Sequence, residues 1–271
     1  MKILFYFFLP AFFSYILINN FLRWDNVKEK LNYKNRRVKT AGGIVMVLTT
    51  LLMSLISLLW NYQEDTVFII ISVACMGFIG FLDDMFGNSR AKGFRGHFNL
   101  LLKGEISTGA LKAFTGLVTS AAVVFMRGYA SFLQLATDTL MITFAINSLN
   151  ILDLRPGRVC KFFLLFMTIL AVYDIYMGPV KSFYHFLPIF VSTAVFFYYD
   201  LREYVMMGDT GSNVLGICFG LSMAWILPLE YKIIMAVFLF GLNVAAEKLS
   251  LSVIIQKVRL LRLIDDMGRR P

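Results

Sequence analysis

The chain has 271 residues, of which 58% are hydrophobic and only 16% are charged, and its formal net charge is +9. Ordinary soluble domains carry about 25% charged residues, and a mean hydropathy of +0.71 excludes that class. The composition indicates a polytopic membrane protein.

Apolar runs recur along the whole chain and predict an all-α bundle of about nine transmembrane helices. No small-residue cleavage site follows the first run, so we expect a retained helix rather than a signal peptide. We expect one transmembrane catalytic domain over residues 1–246 and a cytoplasmic amphipathic helix over residues 247–271. The runs are Ile3–Leu22, Ile44–Trp60, Thr66–Leu82, Thr108–Met126, Ala130–Leu149, Phe162–Met177, Phe183–Tyr199, Val214–Leu227 and Ile233–Ala246.

Basic residues are distributed unevenly between the segments that join these runs. Most of the 26 Lys and Arg side chains fall after the first, third, fifth and seventh runs and in the C-terminal tail. Since cytoplasmic loops carry an excess of Lys and Arg, this bias predicts an N-terminus outside and a C-terminus inside. We therefore expect a multi-pass protein of the cytoplasmic (inner) membrane whose polar chemistry faces the cytoplasm.

The tail is predicted to form one interfacial helix with an apolar side and a basic side. The apolar residues expected to face lipid or the bundle are Leu249, Val253, Leu260, Leu263 and Ile264. The basic residues expected among anionic headgroups are Lys257, Arg259 and Arg262.

The second apolar run is preceded by Lys39-Thr-Ala-Gly42-Gly43. Glycines let backbone N–H groups approach a ligand closely, and a helix N-terminus favours anions. The pattern is typical either of an anion-binding site or of an ordinary turn. If Lys39 binds a nucleotide, Lys39→Met should weaken nucleotide binding and leave expression intact.

The run from Thr66 to Leu82 ends on two adjacent carboxylates, Asp83 and Asp84. A helix of this length rises roughly 26 Å, close to the ~30 Å hydrocarbon core of a bilayer. Both aspartates should therefore lie at the membrane surface, where uncompensated charges are costly. We expect them to have a functional role.

The loop after Asp84 contains several glycines together with Arg90, Lys92, Arg95 and His97. Such a loop is typical of flexible anion handling, although each basic residue also follows the inside-positive bias. The lone His97 favours a satisfied or solvated side chain over metal ligation.

Asn147, Asn150 and Asp153 are spaced so that they could line one polar edge of the fifth helix. They bind either a ligand or another helix, since asparagines also form interhelical hydrogen bonds in membranes. The edge runs directly into an Arg-Pro-Gly-Arg turn, which favours the ligand.

Asp209 lies between glycines and hydroxyls at the start of an apolar run, which suits a hard cation such as Mg²⁺ or a helix cap.

In this order, Lys39-Thr-Ala-Gly-Gly43, Asp83-Asp84, Asn150-x-x-Asp153 and Gly208-Asp-Thr-Gly-Ser212 resemble the polyprenyl-phosphate N-acetylhexosamine-1-phosphate transferase superfamily. The resemblance covers about residues 35–220. It implies that a polyprenyl phosphate attacks a UDP-sugar and gives polyprenyl-diphosphate-sugar and UMP, with Mg²⁺, in cell-wall or surface polysaccharide synthesis. It also implies membrane and substrate partners, a homodimer as a possible assembly, and no nucleic acid.

Residue roles follow from the resemblance alone. The implied catalytic residues are Asp83, Asp84 and Asp209, and the implied metal ligands are Asp209 and Asp84. The implied substrate-binding residues are Lys39, Gly42, Gly43, Asn147, Asn150 and Asp153. Asp200 lies outside the matching motifs, and we expect Asp200→Asn to be nearly silent.

The chain departs from the family pattern in three ways. It lacks the histidine-rich loop near the C-terminus and has only His97 and His185. Leu-Arg-Pro-Gly-Arg158 stands where Asp-Gly is common, and the chain is about one span short. These departures favour a divergent paralogue; the alternative is a scaffold or lipid-phosphate-binding protein without turnover. A transporter is disfavoured because the carboxylates gather on one face.

Overall fold

The computed structural model describes residues 2–87, 107–177, 182–249 and 251–269. Within these ranges the helices are α1 (Lys2–Phe21), α2 (Ile44–Trp60), α3 (Glu64–Phe86), α4 (Thr108–Arg127), α5 (Phe132–Leu152), α6 (Arg158–Tyr176), α7 (Leu187–Leu201), α8 (Gly208–Ile226), α9 (Leu229–Lys248), α10 (Leu251–Lys257) and α11 (Arg259–Asp266). A 3₁₀ helix (Ser182–Phe186) leads into α7. Strands β1 (Glu29–Leu31) and β2 (Arg37–Lys39) form an antiparallel hairpin between α1 and α2.

Each predicted apolar run overlaps one of the helices α1 to α9, although their bounds differ by up to six residues. In the described ranges, five helices are long and apolar enough to cross a membrane, namely α3, α4, α5, α6 and α9. The apolar parts of α1 (Phe5–Phe21) and α2 are shorter. The prediction of an all-α membrane bundle is confirmed, whereas the number of spans and their orientation stay predictions.

Polar side chains determine where several helices begin. Ser107 and Ser131 cap α4 and α5, because their hydroxyl oxygens accept hydrogen bonds from N–H groups in the first turn. Helix α8 is capped from a distant part of the chain instead. Asp84, in the last turn of α3, accepts the N–H of Thr210 at 2.9 Å. The end of α3 and the start of α8 are therefore joined directly.

Helix α8 is the centre of the bundle, since every residue from Thr210 to Ala224 is buried. Its neighbours approach it at glycines. A Cβ atom at Gly43, before α2, would collide with the backbone of Gly211, and one at Gly80 of α3 would collide with the backbone of Asp209. Small residues at such contacts let helix backbones come close together. The start of α8 is thereby held against both α2 and α3.

We expect Gly43→Ala to destabilise the bundle by about 1–3 kcal/mol, because the added methyl group forces α2 away from α8. Gly241→Ala is a matched control in α9, where no atom lies within 4 Å of the added methyl group. That variant should be neutral or slightly stabilised, since Ala is the better helix former. Thermal unfolding in one detergent measures both variants, and equal unfolding temperatures would contradict the close contact.

The hairpin β1–β2 lies at the end of the bundle where α3 ends and α8 begins. Lys28 Nζ donates to the carbonyl of Met85 at 2.9 Å, and Lys39 pairs with Val205 in a parallel bridge. Glu203 accepts hydrogen bonds from two side chains of the hairpin turn. These contacts fix the hairpin to α3 and to the segment between α7 and α8.

The C-terminal tail forms two short helices, α10 and α11, rather than the single helix expected. The break falls at Val258, whose backbone is extended. Helix α9 continues to Lys248, across the expected domain boundary at residues 246 and 247, and the division into two domains stays a prediction. The five apolar tail residues predicted to face lipid or the bundle are 45% to 67% exposed. Their contact with lipid stays a prediction.

Candidate active site

The ends of three helices bring two carboxylates and a lysine together. Lys112, in the second turn of α4, places Nζ 2.9 Å from Oδ2 of Asp209 and 3.5 Å from Oδ2 of Asp83. The carboxyl groups of Asp83 and Asp209 also lie next to each other. All three side chains keep 15% to 27% of their surface exposed, so a ligand can reach them.

Asn150, in the last turn of α5, completes this cluster. With its amide oriented to satisfy every neighbour, its oxygen accepts from Lys112 Nζ at 2.9 Å. Its nitrogen then donates to Asp209 Oδ1 at 2.6 Å and to Ser212 Oγ at 2.9 Å. We call Asp83, Lys112, Asn150 and Asp209 the carboxylate–lysine cluster.

Asp84 faces away from this cluster and is almost fully buried. Its Oδ2 accepts hydrogen bonds from the N–H and the hydroxyl of Thr210 at 2.9 and 2.7 Å. Its Oδ1 is 3.3 Å from both Thr40 Oγ1 and Lys30 Nζ. These partners make Asp84 the cap of α8. The carboxylate that the structure brings to Asp209 is therefore Asp83, whereas the sequence paired Asp209 with Asp84 as metal ligands.

The Lys39 ammonium is not in the cluster. Its Nζ donates to the carbonyl oxygens of Leu22 and Trp24 at 2.8 and 2.6 Å, which closes the end of α1. The N–H groups of Gly42 and Gly43 donate to the carbonyls of residues 206 and 207 at 3.0 and 2.9 Å. The donors predicted to bind an anion are thus used inside the protein, and the glycines serve close packing.

We expect Lys39→Met to lower the free energy of unfolding by about 1–3 kcal/mol, because two carbonyls lose a charged hydrogen-bond donor. Nucleotide affinity should change little, in contrast to the expectation from the sequence. Thermal unfolding and titration with UDP measure the two effects separately. A large loss of affinity at unchanged stability would return Lys39 to the binding site.

Asn147 also lies apart from the cluster. Its Nδ2 donates to Oδ1 of Asn243 in α9, and Asn243 donates in turn to Ser148 Oγ at 2.8 Å. Asn147 therefore forms an interhelical hydrogen bond, which is one of the two alternatives predicted for the polar edge of α5. Asn150 instead belongs to the carboxylate–lysine cluster.

Asp153 follows the end of α5 and is partly buried beside a cavity of about 50 Å³. Burial, and then the negative charges of three nearby carboxylates, raise the pKa of Asp153 well above its usual value. Those carboxylates are Asp200, Asp209 and Asp84. The negative potential favours a cation in this region.

Asp200 is buried and holds the turn before α6. Its Oδ2 accepts the N–H of Gly157 at 2.7 Å, and Gly157 has a left-handed backbone with φ of +75° that favours glycine. This structural role argues against the expectation that Asp200→Asn is nearly silent, which stays a prediction. Asp200→Asn is therefore unsuitable as a neutral control.

Lys112 is the candidate site residue that the sequence analysis did not single out. The available signal was a single lysine one turn inside an apolar helix, where an unpaired charge is costly. Arg90, Lys92, Arg95 and His97 lie outside the described residues. His185 contacts Thr66 at the start of α3, about 26 Å of helix away from Asp83, and is not part of the site.

The cluster offers two carboxylates to a metal ion. Among the residues that the structure describes, no three His, Cys, Asp or Glu side chains are grouped to hold one. Mg²⁺, however, is commonly bound by one or two carboxylates and completes its shell with water and phosphate oxygens. Asp83 and Asp209, with the amide of Asn150 beside them, fit that pattern.

The model of glycosyl transferase family 4 matches residues 66–227, which is more than half of the chain. The chain belongs to glycosyl transferase family 4. The matched segment of this family 4 protein contains the whole carboxylate–lysine cluster, whereas the hairpin and Lys39 precede it. The resemblance inferred from the sequence is thereby confirmed.

Two curated relatives of this family 4 protein are phospho-N-acetylmuramoyl-pentapeptide-transferases from two strains of Clostridium perfringens. Each is 26% identical over 196 residues, which cover 69% of this chain and 61% or 59% of the relative. The chain thus spans about three fifths of the length of these relatives. It is a divergent member of the family.

Proposed function

We propose that this protein transfers a sugar-1-phosphate from a UDP-sugar to a polyprenyl phosphate at the cytoplasmic face of the membrane. The observation that carries the proposal is the cluster in which Lys112 contacts Asp83, Asp209 and Asn150. The products would be polyprenyl-diphosphate-sugar and UMP, for cell-wall or surface polysaccharide synthesis.

In this reaction an oxygen of the lipid phosphate forms a bond to the β-phosphorus of the UDP-sugar. The bond from that phosphorus to the bridging oxygen breaks, and UMP leaves with the electron pair. Two polyanions must meet, and one like-charge pair at ~4 Å costs ~4 kcal/mol at an effective dielectric near 20. The Lys112 ammonium, which lies beside both carboxylates, offsets part of this repulsion.

Members of this family use a divalent metal ion. Asp83 and Asp209 would hold Mg²⁺ here, and the ion when bound would neutralise charge on the diphosphate. Asn150 would orient Asp209 through its amide, while Asp84 would keep α8 and hence Asp209 in place. A base is not required, because a phosphate acceptor is already ionised near neutral pH.

An apolar groove supports a lipid acceptor. It lies between α4 and α5, has a volume of about 740 Å³, and is lined by Val118, Ala121, Phe125, Leu135 and Leu140 among others. It begins on α4 less than two turns beyond Lys112, so a lipid with its phosphate at the cluster could lay its prenyl chain there. Asp153 and the cavity beside it are proposed to face the nucleotide.

Incubation of the purified protein with undecaprenyl phosphate, Mg²⁺ and a panel of UDP-sugars tests the proposal. UMP should be released with at least one sugar nucleotide, and only when lipid phosphate and a divalent ion are both present. Binding of lipid phosphate without UMP release from any UDP-sugar would overturn the proposal and favour a scaffold that has lost turnover.

A further inference from the structure

The C-terminal segment is attached to the turn before α6 by a buried ion pair. Arg158 donates from Nε and Nη2 to the two carboxylate oxygens of Asp265, at 2.8 and 2.9 Å. Only 6% of the Arg158 side chain and 3% of the Asp265 side chain are exposed. Bidentate ion pairs between arginine and a carboxylate are geometrically specific, and the loss of one partner leaves an uncompensated buried charge.

Two further cations secure the same contact. Arg269 donates to both oxygens of Asp265 at 2.6 and 3.0 Å, and its Nε donates to the carbonyl of Pro156 at 2.8 Å. Lys161 Nζ donates to the carbonyls of Ile264 and Asp265 at 2.9 and 2.8 Å. Residues 251–269, which we call the C-terminal strap, are thus bound to the end of the turn and to the first turn of α6.

The charge on Asp265 is permanent under ordinary conditions. Burial alone would raise the pKa of Asp265, but the hydrogen bonds and charges of Arg158 and Arg269 hold it well below its usual value. Asp265 therefore remains a carboxylate that pairs with Arg158.

The turn held by the strap connects directly to the candidate site. It begins at Asp153, beside the cavity, and follows Asn150 of the carboxylate–lysine cluster. On one side the turn is fixed by Asp200, which accepts the N–H of Gly157. On the other side it is fixed by the strap through Arg158. The Leu-Arg-Pro-Gly-Arg sequence, which departs from the family pattern, supplies both attachment points.

We propose that Asp265 is a positioning residue: acting through Arg158, it holds the turn so that Asp153 faces the nucleotide part of the substrate. The proposal rests on the proposed function and assigns Asp265 no contact with substrate. The C-terminal segment would thereby contribute to substrate binding.

Asp265→Asn and its neighbour Asp266→Asn form a matched pair for the test. Asp266 carries the same charge, but its side chain is 53% exposed and its carboxylate lies 3.3 Å from one guanidinium nitrogen of Arg269. In the full-length protein, Asp265→Asn should raise KM for the UDP-sugar about tenfold, because removing a buried charge partner releases the turn. KM for the lipid phosphate should not change, and Asp266→Asn should behave like the unmodified protein.

A merely structural role predicts a different pattern, since fewer folded molecules lower the apparent kcat and leave both KM values unchanged. Asp265→Glu should recover part of the lost affinity, and it serves as the informative variant if Asp265→Asn does not fold. Unchanged KM for the UDP-sugar in both Asp265 variants would overturn the proposal.

Hydrogen exchange of the amides of residues 154, 155, 157 and 158 gives a readout independent of turnover. Exchange should be faster in Asp265→Asn than in Asp266→Asn. If the unmodified protein released no UMP, the proposed function would fail, and the exchange would still decide whether the strap holds the turn. Equal exchange rates in the two variants would refute the proposal that the strap holds the turn.

Discussion

Asp209→Asn is expected to slow UMP release by about a hundredfold to a thousandfold, the usual cost of removing one key electrostatic group. Asparagine keeps the shape of the side chain but lacks the charge that a hard cation requires. It also lacks the charge that now pairs with Lys112 at 2.9 Å. The amount of folded protein should be nearly unchanged, because Asp84 rather than Asp209 caps α8. Initial rates at saturating substrate measure the effect.

Asp25→Asn is the matched control for this variant. Asp25 is an exposed carboxylate between α1 and the hairpin, at the same end of the bundle. Its replacement should leave the rate of UMP release unchanged. Equal loss of activity in the two variants would mean that the site has been misassigned.

Lys112→Met should also lower the rate of UMP release by about a hundredfold or more. Without the ammonium, the repulsion between an incoming phosphate and the Asp83 and Asp209 carboxylates is less well offset. The rate of Lys112→Arg should lie between those of the unmodified protein and Lys112→Met. Arginine keeps the positive charge, but its larger planar guanidinium group cannot make the same contacts as the lysine ammonium. The measurement is again the initial rate, with the Mg²⁺ concentration varied.

Lys257→Met controls for the loss of a positive charge, because Lys257 is exposed on α10. It should retain the full rate. Full activity of Lys112→Met would show that the lysine only balances charge at rest and has no part in the reaction.

Local sequence patterns predicted the helices well and the contacts at the site less well. Long apolar runs place α1 to α9 because hydrophobicity and length suffice for that purpose. The meeting of Asp83 and Asp209 is consistent with both lying at ends of apolar runs. The partners of Lys39 and Asp200 could not be read from the sequence, because they are main-chain groups brought near by the fold. Lys112 was missed since a charge count treats every lysine as equivalent.

The burial of α8 has a consequence for the order of assembly during synthesis. Helices α2, α3 and α5 all pack against α8, yet residues 208–226 are made after each of them. Until α8 is inserted, the surfaces of these helices that later contact α8 must be covered by lipid or by other proteins. The bundle can therefore close only late in translation, and a chain terminated before residue 208 would leave helices in the membrane that cannot complete their packing.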